Sequence, residues 1–229
     1  MPPKITTDIL FRTASVVFDF DGTLIDSAHD VAVAYCMALP KFGFEPPPPE
    51  SIQIGPPVDV MVRQMIGQDA DPALAAAIIN EFRRHYDTTD YPATTLYPGA
   101  EELLKRLKSK GIRLSIATYK RTIPTQRILA IKGIVDLFDE VLALELHGER
   151  LTKHQMLVRI MEATQTKPTE TFFFGDSVSD IQAGRDSGVN TVAVLYGYES
   201  SEELLAAQPD FVCETLTALL APRTSRLTG

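Results

Sequence analysis

In the stretch VVFDFDGTLIDS, Val16 to Ser27, two carboxylates stand two positions apart at the end of an apolar run and just before a glycine. Alternate residues of an extended strand point to one side, so Asp19 and Asp21 start on the same face, where their charges repel. Further along, GDSVSD supplies Asp176 and Asp180, SIAT ends in Thr118, and TKHQ supplies Lys153. Carboxylates brought close together raise one another's pKa or recruit a cation. A few hard oxygen ligands that leave room for water and phosphate oxygens suit Mg²⁺. Such an ion would let an anionic phosphate approach an aspartate, with Lys153 and Thr118 holding the remaining phosphate oxygens.

This chemistry needs a scaffold that gathers distant segments. Residues 16–20, 112–118, 139–144, 171–175, 191–195 and 211–213 read as short apolar strands. Helical patterns fall between them over 101–110, 122–132, from 152, up to about 187, over 201–207 and again after 213. Strands that are apolar throughout and alternate with helices indicate a parallel sheet covered on both faces. From Ser27 to Thr94 the patterns are helical only. SAHDVAVAYCMAL is ended or kinked by Pro40, VDVMVRQMIG follows, and DPALAAAIINEFRRHY opens with Asp71 as N-cap and Pro72 in the first position. EPPPPE between them is a stiff connector. The expected fold class is α/β, a Rossmann-like, three-layer parallel-sheet core formed by residues 1–26 and 95–229. An all-helical cap domain, residues 27–94, is inserted after the first strand. Open sheets of this kind bind ligands beyond the carboxyl ends of their strands. Asp19, Asp21, Gly22, Thr118 and Asp176 all fall on that rim. TKHQ has capping-box spacing with Thr152 as N-cap, which puts Lys153 in a first helical turn. The backbone dipole favours an anion there, so a lysine is out of place unless it meets one.

Composition narrows the function. There are 22 Lys and Arg against 30 Asp and Glu, a net charge of −8, with no basic cluster. That argues against nucleic acid or an anionic membrane as partner and leaves a small anionic substrate, a phosphorylated metabolite among them, because a few local cations or a metal can reverse the field inside one cleft. No 18-residue apolar run and no signal-peptide pattern is seen, and Cys36 and Cys213 lie far apart without metal-ligand spacing. A cytoplasmic protein with two free thiols is expected. His29, His85, His147 and His154 also lack metal spacing, and Ser177 reads as an N-cap rather than a nucleophile. P-loop, dinucleotide and zinc-protease patterns are absent. No feature of the sequence specifies an oligomeric state.

Together and in this order, DFDGTLIDS, SIAT, Lys153 and GDSVSD resemble the haloacid dehalogenase superfamily over about residues 14–220, specifically its phosphatases with a helical cap after the first strand. YPGAEELLKRLKSKGI and GVNTVAVLYGY draw the likeness toward phosphoglycolate-phosphatase-like members. The resemblance implies that Asp19 attacks phosphorus and becomes a phosphoaspartate. It implies that Asp21 protonates the leaving alcohol and then activates water. Mg²⁺ would be held by Asp19, the backbone carbonyl of Asp21, and Asp176, with Asp180 acting through water or by orienting Lys153. Thr118 and Lys153 would bind phosphoryl oxygens, helped by backbone N–H groups near Gly22 and Tyr119.

Substrate selectivity is expected from the cap. There IGPPVDVMVRQ places Gly55 and Pro56 at a rigid helix start, and Arg63 either reaches a substrate carboxylate or stays a solvated helix arginine. Three positions depart from the family pattern. Tyr119 stands where such phosphatases often carry Asn, and Lys153 lacks the Lys-Pro context of many relatives. Gly175 precedes Asp176 where mutase relatives tend to be acidic, which favours hydrolysis, and the presence of Asp21 argues against dehalogenation. The expected activity is hydrolysis of a phosphate monoester. Phosphoglycolate, a nucleoside monophosphate, a sugar phosphate and pyrophosphate all fit as substrates. The alternative of another class is a catalytically idle binding protein, which would have no need of Asp21 or Asp180.

Overall fold

The structure, a computed structural model, describes residues 1–52, 54–55, 57–146 and 149–220. Pro56, His147 and the tail 221–229 lie outside the described residues. Strands β1 Ser15–Phe18, β2 Arg113–Ala117, β3 Glu140–Leu142, β4 Thr171–Gly175, β5 Asn190–Val194 and β6 Phe211–Cys213 form one sheet. Their order is β6-β5-β4-β1-β2-β3, and every neighbouring pair is parallel. Alternate residues feed opposite faces. Val16, Phe18, Leu114, Ile116, Phe172 and Phe174 join one buried cluster, while Val17, Ala117 and Phe173 join another. Because both faces are dry, the strands read as continuous apolar runs, and a one-residue slip would exchange the two sets.

Three helices, α1 Ala28–Ala38, α2 Val58–Ile66 and α3 Pro72–Tyr86, make up the inserted segment. The core helices are α4 Ala100–Ser109, α5 Thr122–Ile131, α6 Lys153–Thr164, α7 Val178–Asp186 and α8 Ser201–Ala206. Leu103, Leu104 and Leu107 of α4 and Ile128 and Leu129 of α5 cover the first face. Met156, Leu157, Ile160 and Met161 of α6 cover the second. The result is the three-layer α/β architecture expected from the pattern. The last segment, Leu216–Leu220, is a 3₁₀ turn rather than the expected helix. Leu216 and Leu219 are both buried, and a three-residue repeat sets them on one side.

The inserted helices pack through a ring ladder. Tyr35 of α1 stacks on Phe82 of α3 at 4.2 Å, and Phe82 on Tyr86 at 5.5 Å. Asp71 caps α3 by accepting from the Ala73 N–H. Pro40 ends α1 as the sequence predicts, through a 3₁₀ turn that stops at Gly43. The chain leaves the core along Ile25–Asp26 and returns along Thr95–Leu96, two short strands paired antiparallel with Asp26 opposite Thr95. The buried Asp30 carboxylate fastens this junction, accepting from the Thr94 N–H at 2.7 Å and the Thr94 hydroxyl at 2.6 Å. Among the described residues no helix is long and apolar enough to cross a membrane.

Candidate active site

Strand order fixes where a site can form. The chain steps from β1 to β3 toward one edge, then crosses to β4 on the other side of β1. The crevice lies at this reversal, outside the carboxyl ends of β1 and β4. Phe18 is in register with Phe174 on one side and Ile116 on the other, so the residues that follow emerge together on one rim. Asp19 extends the ladder by donating its N–H to the Phe174 carbonyl at 2.8 Å. Thr118 does the same toward Leu142 at 3.0 Å. Lys153 opens α6 behind the capping box of Thr152 and Gln155, as the spacing predicts.

The side chains converge. Lys153 Nζ lies 2.9 Å from Asp19 Oδ2 and also pairs with Asp180 Oδ1. The other Asp180 oxygen accepts from the Ser177 N–H at 3.1 Å and its hydroxyl at 2.6 Å, capping α7. Asp180 is therefore fully occupied by protein donors. Asp176 Oδ2 accepts from the Tyr198 N–H at 2.8 Å. Asp19 Oδ1, by contrast, is buried with no hydrogen-bond partner. Asp19, Asp176 and Asp180 are all buried and offer oxygens within 4.8 Å of one another. Crowded acceptors around one unpaired oxygen form a donor set suited to a hard divalent cation.

Electrostatics follow from this crowding. Burial pushes the Asp19 carboxyl up to about 7 against the pull of Lys153, and Asp180 adds to the rise. Burial, together with Asp19 and Asp180, raises Asp176 to about 8. For Lys153 burial works against the charge, but Asp180 and Asp19 outweigh it and raise its pKa. Carboxyls raised in the folded state hold protons that the unfolded chain has already released above about pH 4. In EDTA, stability is thus expected to fall as pH rises from about 5 to about 8, read as a falling Tm. Saturating divalent cation should flatten that slope, because it replaces the protons. A Tm that rises over this range in EDTA would contradict the reading.

Two glycines make the room. A Cβ on Gly22, whose φ is +75°, would lie 1.9 Å from Asp176 Oδ2, and one on Gly197 would lie 2.2 Å from Asp176 Cβ. The Gly22 N–H donates to the Ile25 carbonyl at 2.8 Å. That N–H is thus taken within the turn, and the glycine itself leaves the space that Asp176 occupies. Gly175 is likewise closed to a side chain, since its Cβ would meet Asp180 Cβ at 2.3 Å.

Asp21 is held apart from this cluster. Lys120 Nζ donates to its two oxygens at 2.9 and 3.2 Å, and the buried Ser27 hydroxyl donates to Oδ1. Lys120 also donates to the Tyr86 hydroxyl of α3 at 2.6 Å. Burial opposes the Lys120 charge, but Asp21 and Tyr86 outweigh it, so its pKa is raised and it stays protonated. Sequence reasoning missed Lys120, Ser27 and Tyr86. One signal was present, for Lys120 lies two residues after Thr118, just beyond the end of β2 and so on the same rim.

The remaining expected positions are spread unevenly. The Thr118 hydroxyl is buried and accepts from the Lys120 N–H at 3.1 Å. Tyr119 accepts from the Lys153 N–H through its hydroxyl at 3.2 Å, and its ring lies 5.2 Å from Lys153 Nζ. Asp19, Asp21, Thr118, Tyr119, Lys153 and Asp176 line one cleft of about 1360 Å³, which Gly55 of the inserted segment also borders. Pro56 lies outside the described residues. Arg63 donates to the Gln68 carbonyl at 3.1 Å and takes no part in the cleft wall. The arginine that the inserted helices place there is Arg83.

The chain is similar to known proteins in sequence and in fold. A family model described as haloacid dehalogenase-like hydrolase matches residues 16–194. The chain is 33% identical to a phosphoglycolate phosphatase of Vibrio vulnificus over 90% of its own length and 93% of that protein's. It is 30% identical to one of Pseudomonas putida, covering 93% of this chain and 81% of that protein. Among solved structures, a predicted phosphatase from Clostridium acetobutylicum superposes with a TM-score of 0.81 at 27% identity, over 90% of this chain and 96% of that one. A predicted phosphoglycolate phosphatase from Haemophilus somnus gives 0.81 at 26% identity, over 91% and 97%.

Proposed function

The chain belongs to the haloacid dehalogenase-like hydrolases and is a phosphatase, and from that premise we propose that it hydrolyses a small phosphate monoester of the phosphoglycolate class through a phosphoaspartate on Asp19. The observation that carries this reading is the state of Asp19. One of its oxygens rests on Lys153, while the other is buried and unpaired at the mouth of the β1–β4 crevice. The carboxylate is thus held through one oxygen while the other takes no protein donor.

Mg²⁺ fits the donor set, with Asp19 and Asp176 as side-chain ligands, while Asp180, which takes donors from Lys153 and Ser177, orients the lysine. When bound it would supply charge neutralisation, offsetting the carboxylates and the incoming phosphate. The chain's own residues do the rest. Lys153 and the Thr118 hydroxyl hold phosphoryl oxygens. Asp19 forms the bond to phosphorus through a carboxylate oxygen as the ester P–O bond breaks, and Asp21, entering this step protonated, delivers its proton to the leaving oxygen. Asp21 then takes a proton from the water that attacks phosphorus, which releases phosphate and restores Asp19. Ser27 and Lys120 aim Asp21 throughout.

The segment 27–94 acts as the cap over the core formed by 1–26 and 95–229. The cleft exceeds the volume of a small ester, so closure of these helices excludes water during transfer. The space closed at Gly175, where an acidic side chain has no room, supports hydrolysis over mutase chemistry. Free Cys36 and Cys213 fit a cytoplasmic location.

The test is phosphate release from a panel of esters. Phosphoglycolate is expected to give the highest kcat/KM, EDTA to abolish turnover and Mg²⁺ to restore it. Absence of phosphate release from every ester under saturating Mg²⁺ would remove the enzymatic reading.

A further inference from the structure

Among the described residues five cations border the cleft, and four are accounted for by partners or position. Lys153 is paired with Asp19 and Asp180, and Lys120 with Asp21. Arg121 is paired with Asp87 and Glu145. Arg150 sits exposed on the short hairpin formed by Glu145–Leu146 and Glu149–Arg150. The fifth, Arg83, is half-buried on α3, makes no ion pair among the described residues, and has its Nε buried without a hydrogen-bond partner. A guanidinium is always charged, and leaving a buried N–H unsatisfied is costly. Among the described residues nothing offsets that cost.

Its position on the helix identifies the ligand. Arg83 precedes Tyr86 by three residues, so the two are neighbours on one face of α3. Tyr86 touches Lys120, and Lys120 touches Asp21. Asp21 must lie beside the ester oxygen, so the wall one helical turn from Tyr86 faces the leaving group and not the phosphoryl group. We propose that Arg83 is the specificity-determining residue that receives a carboxylate on the leaving group, by the paired N–H contacts that guanidinium makes with carboxylate. This rests on the phosphoglycolate-class reading above and gives it a residue. It also moves the expected recognition from Arg63, which is committed to its own helix end, to Arg83.

The test compares phosphoglycolate with 2-hydroxyethyl phosphate, in which a neutral hydroxymethyl group replaces the carboxylate. The readout is the ratio of the two kcat/KM values in wild type, Arg83→Met and Arg83→Lys, with folding checked by circular dichroism. Both variants keep the aliphatic stem, and neither strips a partner from another residue. Wild type is expected to favour phosphoglycolate, and Arg83→Met to lower the ratio about 10²-fold, with Arg83→Lys in between. A high wild-type ratio that Arg83→Met leaves unchanged overturns the role of Arg83 and spares the phosphoglycolate reading. A wild-type ratio near one overturns that reading and this inference with it. Equal loss on both esters in a folded Arg83→Met protein also overturns it, because the arginine would then serve structure and not selectivity.

Discussion

Asp19→Asn is expected to lower kcat by about 10⁴-fold or more while the protein keeps its fold. The amide fills the same space, but its uncharged oxygen is a poor nucleophile toward phosphorus, and no other side chain among the described residues offers a buried, unpaired carboxylate oxygen at that rim. Stability should move the opposite way. Asp19, Asp176 and Asp180 crowd within 4.8 Å, Lys153 is the only cation among the described residues paired to any of them, and it keeps Asp180 when Asp19 loses its charge. In EDTA the variant should therefore melt at or above the wild-type temperature at pH 8, with the stability loss between pH 5 and 8 reduced. Phosphate release from p-nitrophenyl phosphate and scanning calorimetry measure the two effects. A variant that retained a tenth of wild-type turnover would take the attacking role away from Asp19. One that lost activity only by unfolding would show it in the melting curve.

The second large effect comes from a methyl group. Gly22→Ala asks an L-residue to hold a φ of +75°, at about 1 to 2 kcal/mol, and aims its Cβ at Asp176 Oδ2 from 1.9 Å. Asp176 has little freedom to retreat, because the Tyr198 N–H holds Oδ2 and its flank at Gly197 leaves no room even for a methyl group. Overpacking of this kind adds about 1 to 3 kcal/mol to the destabilisation. The carboxylate must move, and misplacement by about 1 Å at a catalytic centre costs about 10²-fold in rate. The expected result is a lower Tm together with a kcat/KM reduced at least 10²-fold. A cycle with Asp176→Ala separates the causes, since removing the struck carboxylate should return stability to Gly22→Ala without returning activity. If stability did not recover, the strain would lie in the backbone alone.

The sheet and the anionic half of the site were legible in the sequence because their signals are local. Each strand is a short apolar run, and Asp19, Thr118 and Asp176 sit at the end of one. Lys153 and Asp180 sit in first helical turns marked by their own caps. What was not legible depends on side chains meeting across long separations. Lys120 reaches Tyr86 only because α3 turns that face toward the loop after β2. Arg83 and Arg63 look alike in a string of letters, and the Tyr35–Phe82–Tyr86 ladder settles how α3 is rotated. Gly22 was expected on this rim, and the room it leaves for Asp176 is a contact of the same long-range kind.

The antiparallel pair of Asp26 and Thr95 has one more consequence. Because the inserted helices depart and return side by side, the core meets them as a closed loop and its own path is unaffected by their length. Closing such a loop costs only about 0.6 kcal/mol more for each doubling of its length. The phosphate-handling rim can therefore remain constant while the insertion is lengthened, shortened or exchanged, and a graft of another helical insertion that keeps Ser27 and a partner for Lys120 in place of Tyr86 should leave a folded core that cleaves p-nitrophenyl phosphate with a different preference for the alcohol it releases.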